Sequence, residues 1–102
     1  MKLWIDDVQP APEGYIWSKS VNEAITEIIW NELEREYEGE IYVIDIDHDA
    51  GDFACDGGDY IRLLDWLEET GRNYPIHIHS MNPVGVANMR RIIERNGWEE
   101  IK

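Results

Sequence analysis

The sequence predicts an α/β domain built on a mostly parallel sheet, with helices mainly on one face, and three observations predict it. Short β-branched and aromatic runs recur along the chain at strand length. Stretches of helical periodicity with capping signals alternate with them, the order that calls for a parallel sheet. One run, Ile41-Tyr42-Val43-Ile44-Asp45-Ile46, is almost continuously apolar, as strands buried on both faces are. At 102 residues, with 43% hydrophobic and 11% aromatic side chains, the chain can build one core, so residues 1–102 form a single domain.

Taken in order, Lys2-Leu3-Trp4-Ile5 reads as a strand that stops at Asp6-Asp7, because paired like charges seldom extend a central strand. A loop with Pro10, Pro12 and Gly14 follows, then a second strand, Tyr15-Ile16-Trp17. Ser20 with Glu23 makes a capping box, and Val21, Ala24, Ile25, Ile28, Ile29 and Leu33 repeat at helical spacing behind it. This helix is expected to run to about Tyr37 and to end at Gly39. Residues 41–46 form the central strand. Ile61, Leu64 and Leu67 mark a second helix closing at Gly71, and residues 75–80 alternate as a further strand. A third helix starts at Asn82-Pro83, shows Ile92 and Ile93 on one face and stops at Asn96-Gly97 before a last short strand over residues 98–102. Asn88 and Met89 read as helix packing.

Right-handed crossovers that step in one direction put all three helices on one side of the sheet. The other face then shows Lys2, Trp4, Tyr15, Trp17, His77 and Trp98, an aromatic surface that a partner or a second copy of the chain, as a homodimer, would cover. With 22 acidic and 9 basic residues the formal net charge is −13, a field that repels polyanions and excludes duplex DNA as a partner. A phosphate-bearing ligand requires a metal ion or local donors to cancel that field. Cys55 is the only cysteine, so no internal disulfide forms, and Asp6 and Asp7 interrupt any leader-like run, which points to the cytoplasm. No apolar stretch approaches membrane-spanning length, so no membrane partner is expected.

Ligands of open parallel sheets sit at the carboxyl ends of the strands. Those ends carry Asp6 and Asp7, then Asp45, Asp47, His48 and Asp49, then His77, His79, Ser80 and Asn82. Three carboxylates gathered at one point repel one another unless a hard cation such as Mg²⁺ or Mn²⁺ neutralises them. Strand alternation sends His77 and His79 to the same face, His77 as an ordinary residue of that face and His79 beside the strand end, able to serve as acid, base or phosphate donor. His48, flanked by Asp47 and Asp49, reads as the general acid.

The segments Leu3-Trp4-Ile5-Asp6-Asp7-Val8 with Pro10 and Pro12, Asp47-His48-Asp49, and His79-Ser80-Met81-Asn82-Pro83 with Gly85, Asn88 and Met89 resemble the cyclic-phosphate processing receiver domain family, a shrunken relative of response-regulator receivers. The resemblance covers nearly the whole chain and implies a receiver-like, flavodoxin-like fold. It implies that Asp6 and Asp7 match the receiver's metal-binding acidic pair, Asp47 its strand-end aspartate and Ser80 its strand-end hydroxyl. Gln9 stands where the pattern usually carries Arg, and glutamine supplies no charged fork; Ala50 replaces a larger hydrophobic residue.

Three other motifs fit less well. Asp45-Ile46-Asp47-His48-Asp49 has EF-hand spacing, but Gly51 comes one position late, Asp56 replaces the closing glutamate and a strand leads in. The same residues mimic the Asp-x-Asp of haloacid-dehalogenase phosphatases, yet on a middle strand and with Asp49 out of pattern. His77-Ile78-His79-Ser80 is half of a two-histidine phosphoesterase site, and with three histidines the chain has no second copy.

The expected activity is a metal-dependent phosphoesterase acting on a cyclic phosphate, either an RNA 2′,3′-cyclic end or a small cyclic nucleotide. Asp6, Asp7 and Asp47 hold Mg²⁺ or Mn²⁺, His48, His79 and Asp49 form the catalytic group, and Ser80 and Asn82 bind the phosphate. The alternatives are a phosphoacceptor receiver with Asp47 phosphorylated and Lys102 as its strand-end lysine, or a non-catalytic nucleotide sponge.

Overall fold

The computed structural model describes residues 1–34 and 40–102. Among the described residues the chain forms four strands, β1 (Lys2–Ile5), β2 (Tyr15–Ser18), β3 (Val43–Ile46) and β4 (Ile76–Ile78), and three α-helices, α1 (Val21–Leu33), α2 (Ile61–Glu69) and α3 (Pro83–Asn96). The strands lie in the order β2-β1-β3-β4 and every pair is parallel. That is the strand order of flavodoxin-like sheets, and the receiver-like α/β fold expected from the sequence is the fold observed. The expected end of the first helix at Tyr37 and Gly39 lies outside the described residues.

The connection from β1 to β2 is a loop, not a helix, because Pro10 and Pro12 remove donors and hold the chain extended. In a doubly wound sheet this crossover, which steps opposite to the others, would carry the helix covering the second face. Its absence leaves that face bare. The remaining crossovers all step the other way, and α2 packs between α1 and α3 on one side, as expected. Leu3, Ile5, Ile44, Ile46 and Ile76 point toward the helices and are fully buried against Ala24 and Ile28 of α1, Leu63, Leu64 and Leu67 of α2, and Met89 and Ile93 of α3. Burying each large aliphatic side chain is worth about 1.5–3 kcal/mol, which makes this layer the source of most of the fold's stability.

Ser20 caps α1 by accepting from the Glu23 N–H at 3.0 Å, and Asn82 caps α3 by accepting from the Gly85 N–H at 3.0 Å with Pro83 in the first turn. Gly97 ends α3 in the left-handed region, φ 67°, with the Trp98 N–H returning to the Ile93 carbonyl. That turn corrects two expectations. Trp98 is swung under α3 into the core, where it is 8% exposed, instead of onto the bare face. Residues 98–102 form no full strand, only a parallel bridge between Ile76 and Glu100, because just the backbone N–H and carbonyl of Ile76 engage the tail. A 3₁₀ turn over Gly51–Cys55 occupies the acidic loop after β3.

Candidate functional site

The carboxyl ends of β1, β3 and β4 open into a cleft of about 600 Å³. Asp6 leaves β1 buried, at 3% exposure, and its Oδ1 accepts from the backbone N–H groups of Val8 and Gln9, both at 2.9 Å. These bonds fold the chain sharply out of the strand and fix the carboxylate at the cleft floor. Asp7 follows, half-buried, and a Cβ at Gly51 would lie 2.4 Å from its Oδ2. Gly51, with φ +56°, is therefore what gives the Asp7 carboxylate room. Asp47 is held by its N–H to the Ile5 carbonyl at 2.9 Å, and its Oδ1 accepts from the His48 N–H at 2.8 Å. Asp6, Asp7 and Asp47 each offer a carboxylate oxygen within 4.8 Å of the others.

The charges in this cluster act on one another. Burial raises the Asp7 carboxyl above its ordinary value, and the charges of Asp6 and Asp47 push the same way. Burial would also raise Asp6, but the N–H groups of Val8 and Gln9 and the imidazole of His79 outweigh it and hold Asp6 low. The Tyr60 hydroxyl is pushed up by its own burial and then by Asp7, Asp6 and Asp47, so the field of the three carboxylates reaches the core.

His79 closes the cleft on the β4 side. Its Nε2 lies 2.9 Å from Asp6 Oδ2 and its Nδ1 2.6 Å from Asp45 Oδ1, while its ring stacks on Trp4 at 3.9 Å and 3°. Burial opposes a charged ring, but the bonds to Asp45 and Asp6 outweigh it and raise the His79 pKa. A carboxylate faces each ring nitrogen, an arrangement that favours the protonated ring. Asp45 itself is 6% exposed on β3 and also receives His77 Nδ1 at 2.8 Å. Burial would raise it, yet His79 and His77 together lower it. The parallel register that sets Trp4 beside Asp45 and Asp45 beside His77 is what brings these groups together on the bare face.

Across the cleft, the Ser80 Oγ accepts from the Asn82 N–H at 3.1 Å, and the Asn82 Oδ1 is taken up by the α3 cap. The Asn82 amide nitrogen faces Asp49 Oδ2 at 3.5 Å. The structure thus brings Asp6, Asp7, Asp47, Asp49, His79, Ser80 and Asn82 to one cleft. It does not bring His48 there. That ring turns under the start of α3, where a Cβ on Gly85 would lie 2.4 Å from its Cγ, and its Nδ1 pairs with Asp49 Oδ1 at 2.7 Å. Sequence reasoning set Asp45 among the strand-end acids and in two ill-fitting motifs but left it out of the expected site, although an acid between Ile44 and Ile46 in an apolar strand was a visible signal of a buried, partnered carboxylate.

Residues 1–95 match the family model described as the Cyclic-phosphate processing Receiver domain. The chain belongs to this family. No curated protein and no solved structure matches it. In this cyclic-phosphate processing receiver domain Asp6, Asp7 and Asp47 form a cluster of the kind that could hold a divalent cation: three carboxylate oxygens close together, an Asp7 carboxyl raised by burial and then by its two neighbours' charges, and a glycine that gives the Asp7 oxygen room. No helix among the described residues of the receiver domain is long and apolar enough to cross a membrane.

Proposed function

We propose that this domain is a metal-dependent phosphoesterase that opens a cyclic phosphate, of an RNA 2′,3′-cyclic end or of a small cyclic nucleotide. The observation that carries the reading is the convergence of the Asp6, Asp7 and Asp47 carboxylates in the cleft that His79 and Ser80 also line. Asp6, Asp7 and Asp47 would hold Mg²⁺ or Mn²⁺, which when bound supplies a Lewis acid against a phosphoryl oxygen.

The remaining steps belong to the chain. The Ser80 hydroxyl, positioned by the Asn82 N–H, donates to a phosphate oxygen, and the Asn82 amide adds a second donor. His79 holds a proton on Nε2 inside the cleft, with its Nδ1–H fixed by Asp45 and its plane fixed by Trp4. As water attacks phosphorus and the ring P–O bond breaks, that proton passes to the leaving oxygen and the proton the water loses restores His79, giving a phosphomonoester with a free hydroxyl. Asp45 acts through His79 and is a positioning residue. His48 sits beneath this machinery, bracing Asp49 against the first turn of α3.

The phosphoacceptor reading lacks its cation: Lys102 lies in a groove with Lys2, Tyr15 and His77 on the bare face and does not line the cleft. Incubating the protein with 2′,3′-cyclic mononucleotides, cyclic-ended oligoribonucleotides and cyclic oligonucleotides, with and without Mg²⁺ or Mn²⁺, tests the proposal. Ring opening that needs the metal is expected. Binding with no hydrolysis at saturating metal would leave a sponge, and stable labelling of Asp47 by acetyl phosphate would leave a receiver.

A further inference from the structure

All of the chain's lysines, Lys2, Lys19 and Lys102, lie on or at the edge of the bare sheet face. The Lys2 ammonium stands 5.5 Å from the Tyr15 ring centroid and the Lys19 ammonium 4.5 Å from that of Trp17. Lys102 and Lys2 flank a shallow groove with Tyr15, Tyr42 and His77. None of these lysines has an ion pair among the described residues, whereas Arg72, Arg90 and Arg95 each bind a glutamate. In a chain of net charge −13, carboxylates to pair with are plentiful. Positive charge left over against half-exposed aromatic rings is the combination that binds phosphates and unpaired bases.

The face is continuous with the cleft. The Trp17 Nε1–H donates to the Asp6 carbonyl at 2.8 Å, and Trp4 lies against His79. From the cleft to the Lys2 groove is the length of β1, about 10 Å at the usual strand rise. We propose that the bare face binds a single-stranded nucleotide segment attached to the phosphate held in the cleft, with bases on Tyr15 and Trp17 and backbone phosphates on Lys2, Lys19 and Lys102. This rests on the cleft reading above and narrows its substrate to one with more than one nucleotide. On binding, the Lys2 and Lys19 ammoniums leave their rings for phosphates and each ring face passes to a base. A second copy fits the face less well, because a two-fold axis through it would set lysines against lysines. A duplex offers no unpaired base to stack.

The test is tryptophan fluorescence in chelator, titrating a short single-stranded oligoribonucleotide with a plain 3′-hydroxyl against the matching mononucleotide, so that no cleft chemistry is needed. The expected result is quenching, with the oligonucleotide at least about 10-fold tighter and log K falling with log salt at a slope of about −1.4 or steeper for two or more phosphates. Lys2→Glu with Lys102→Glu is expected to weaken it about 10-fold or more, and Lys2→Gln with Lys102→Gln less. Equal affinity for mononucleotide and oligonucleotide, indifference to both lysine pairs, or sedimentation showing a dimer that the oligonucleotide does not dissociate would overturn the proposal. Oligonucleotide binding by a protein that opens no cyclic phosphate would sink the phosphoesterase reading and leave this one standing. Turnover of a cyclic mononucleotide without oligonucleotide binding would do the reverse.

Discussion

His79 concentrates the residue-scale argument, because one ring joins the cleft carboxylate Asp6 to the buried Asp45. Its pKa is raised from 6.5, so the stability it contributes is fully present below that value and is lost as the pH rises through the folded-state pKa. Asp6 and Asp45 are lowered from 3.8, so their contribution is present above that value and is lost as the pH falls through their folded pKa values. The His79 ring protons, followed by NMR in chelator, are expected to titrate above 6.5, and Asp45→Asn is expected to move the midpoint down. A midpoint at or below 6.5 in the wild type would mean that the two bonds do not outweigh burial. His48 lends itself to a packing test. Gly85→Ala would put a methyl 2.4 Å from its Cγ, an overpacking that costs about 1–3 kcal/mol against a helix-propensity gain of about 1. A net loss of up to about 2 kcal/mol in urea unfolding is expected, recovered in large part when His48→Ala is added; additive losses would mean the two do not touch.

At the scale of elements, the start of α1 carries more than its own cap. Ser20 accepts from the Glu23 N–H and donates to Asp56 Oδ2 at 2.6 Å, and Asn22 reaches the same carboxylate at 3.0 Å. The cap therefore ties the helix to the end of the 3₁₀ turn that carries Gly51 beneath Asp7. Ser20→Ala is expected to cost about 0.5–2 kcal/mol, while Asn22→Ala, which keeps the cap, costs less. Chemical denaturation of both variants checks the order. The central strand, by contrast, was legible without any cap: only its start moved, from residue 41 to Val43, because Ile41 and Tyr42 lead into the sheet from outside its register.

For the whole molecule, the balance of charge governs. A domain of net charge −13 that also gathers three carboxylates should respond to a cation that binds only the folded state. At a hundredfold excess over Kd such binding adds about 2.7 kcal/mol, a rise in Tm on the order of 10 °C for a domain of this size. Mg²⁺ or Mn²⁺ is expected to give that rise at constant ionic strength, and Asp6→Asn or Asp47→Asn to remove it. Equal melting with saturating metal and with chelator would mean that the carboxylates hold no cation.

What the sequence determined by itself was whatever is written in local period and punctuation. Alternating strand and helix runs, Ser20 and Asn82 as caps, and Asp6, Asp7, Asp47 and Ser80 at strand ends follow from chemistry within a few residues. The missing helix between β1 and β2 was equally legible in Pro10 and Pro12, and with it the bare face. What only the tertiary structure decided were contacts across the sheet or over the chain. Trp98 enters the core because of the turn that Gly97 permits, and His48 leaves the cleft because α3 crosses it at a glycine. Asp45 meets His77 and His79 because parallel pairing sets residues more than thirty positions apart side by side, a register that no single segment encodes.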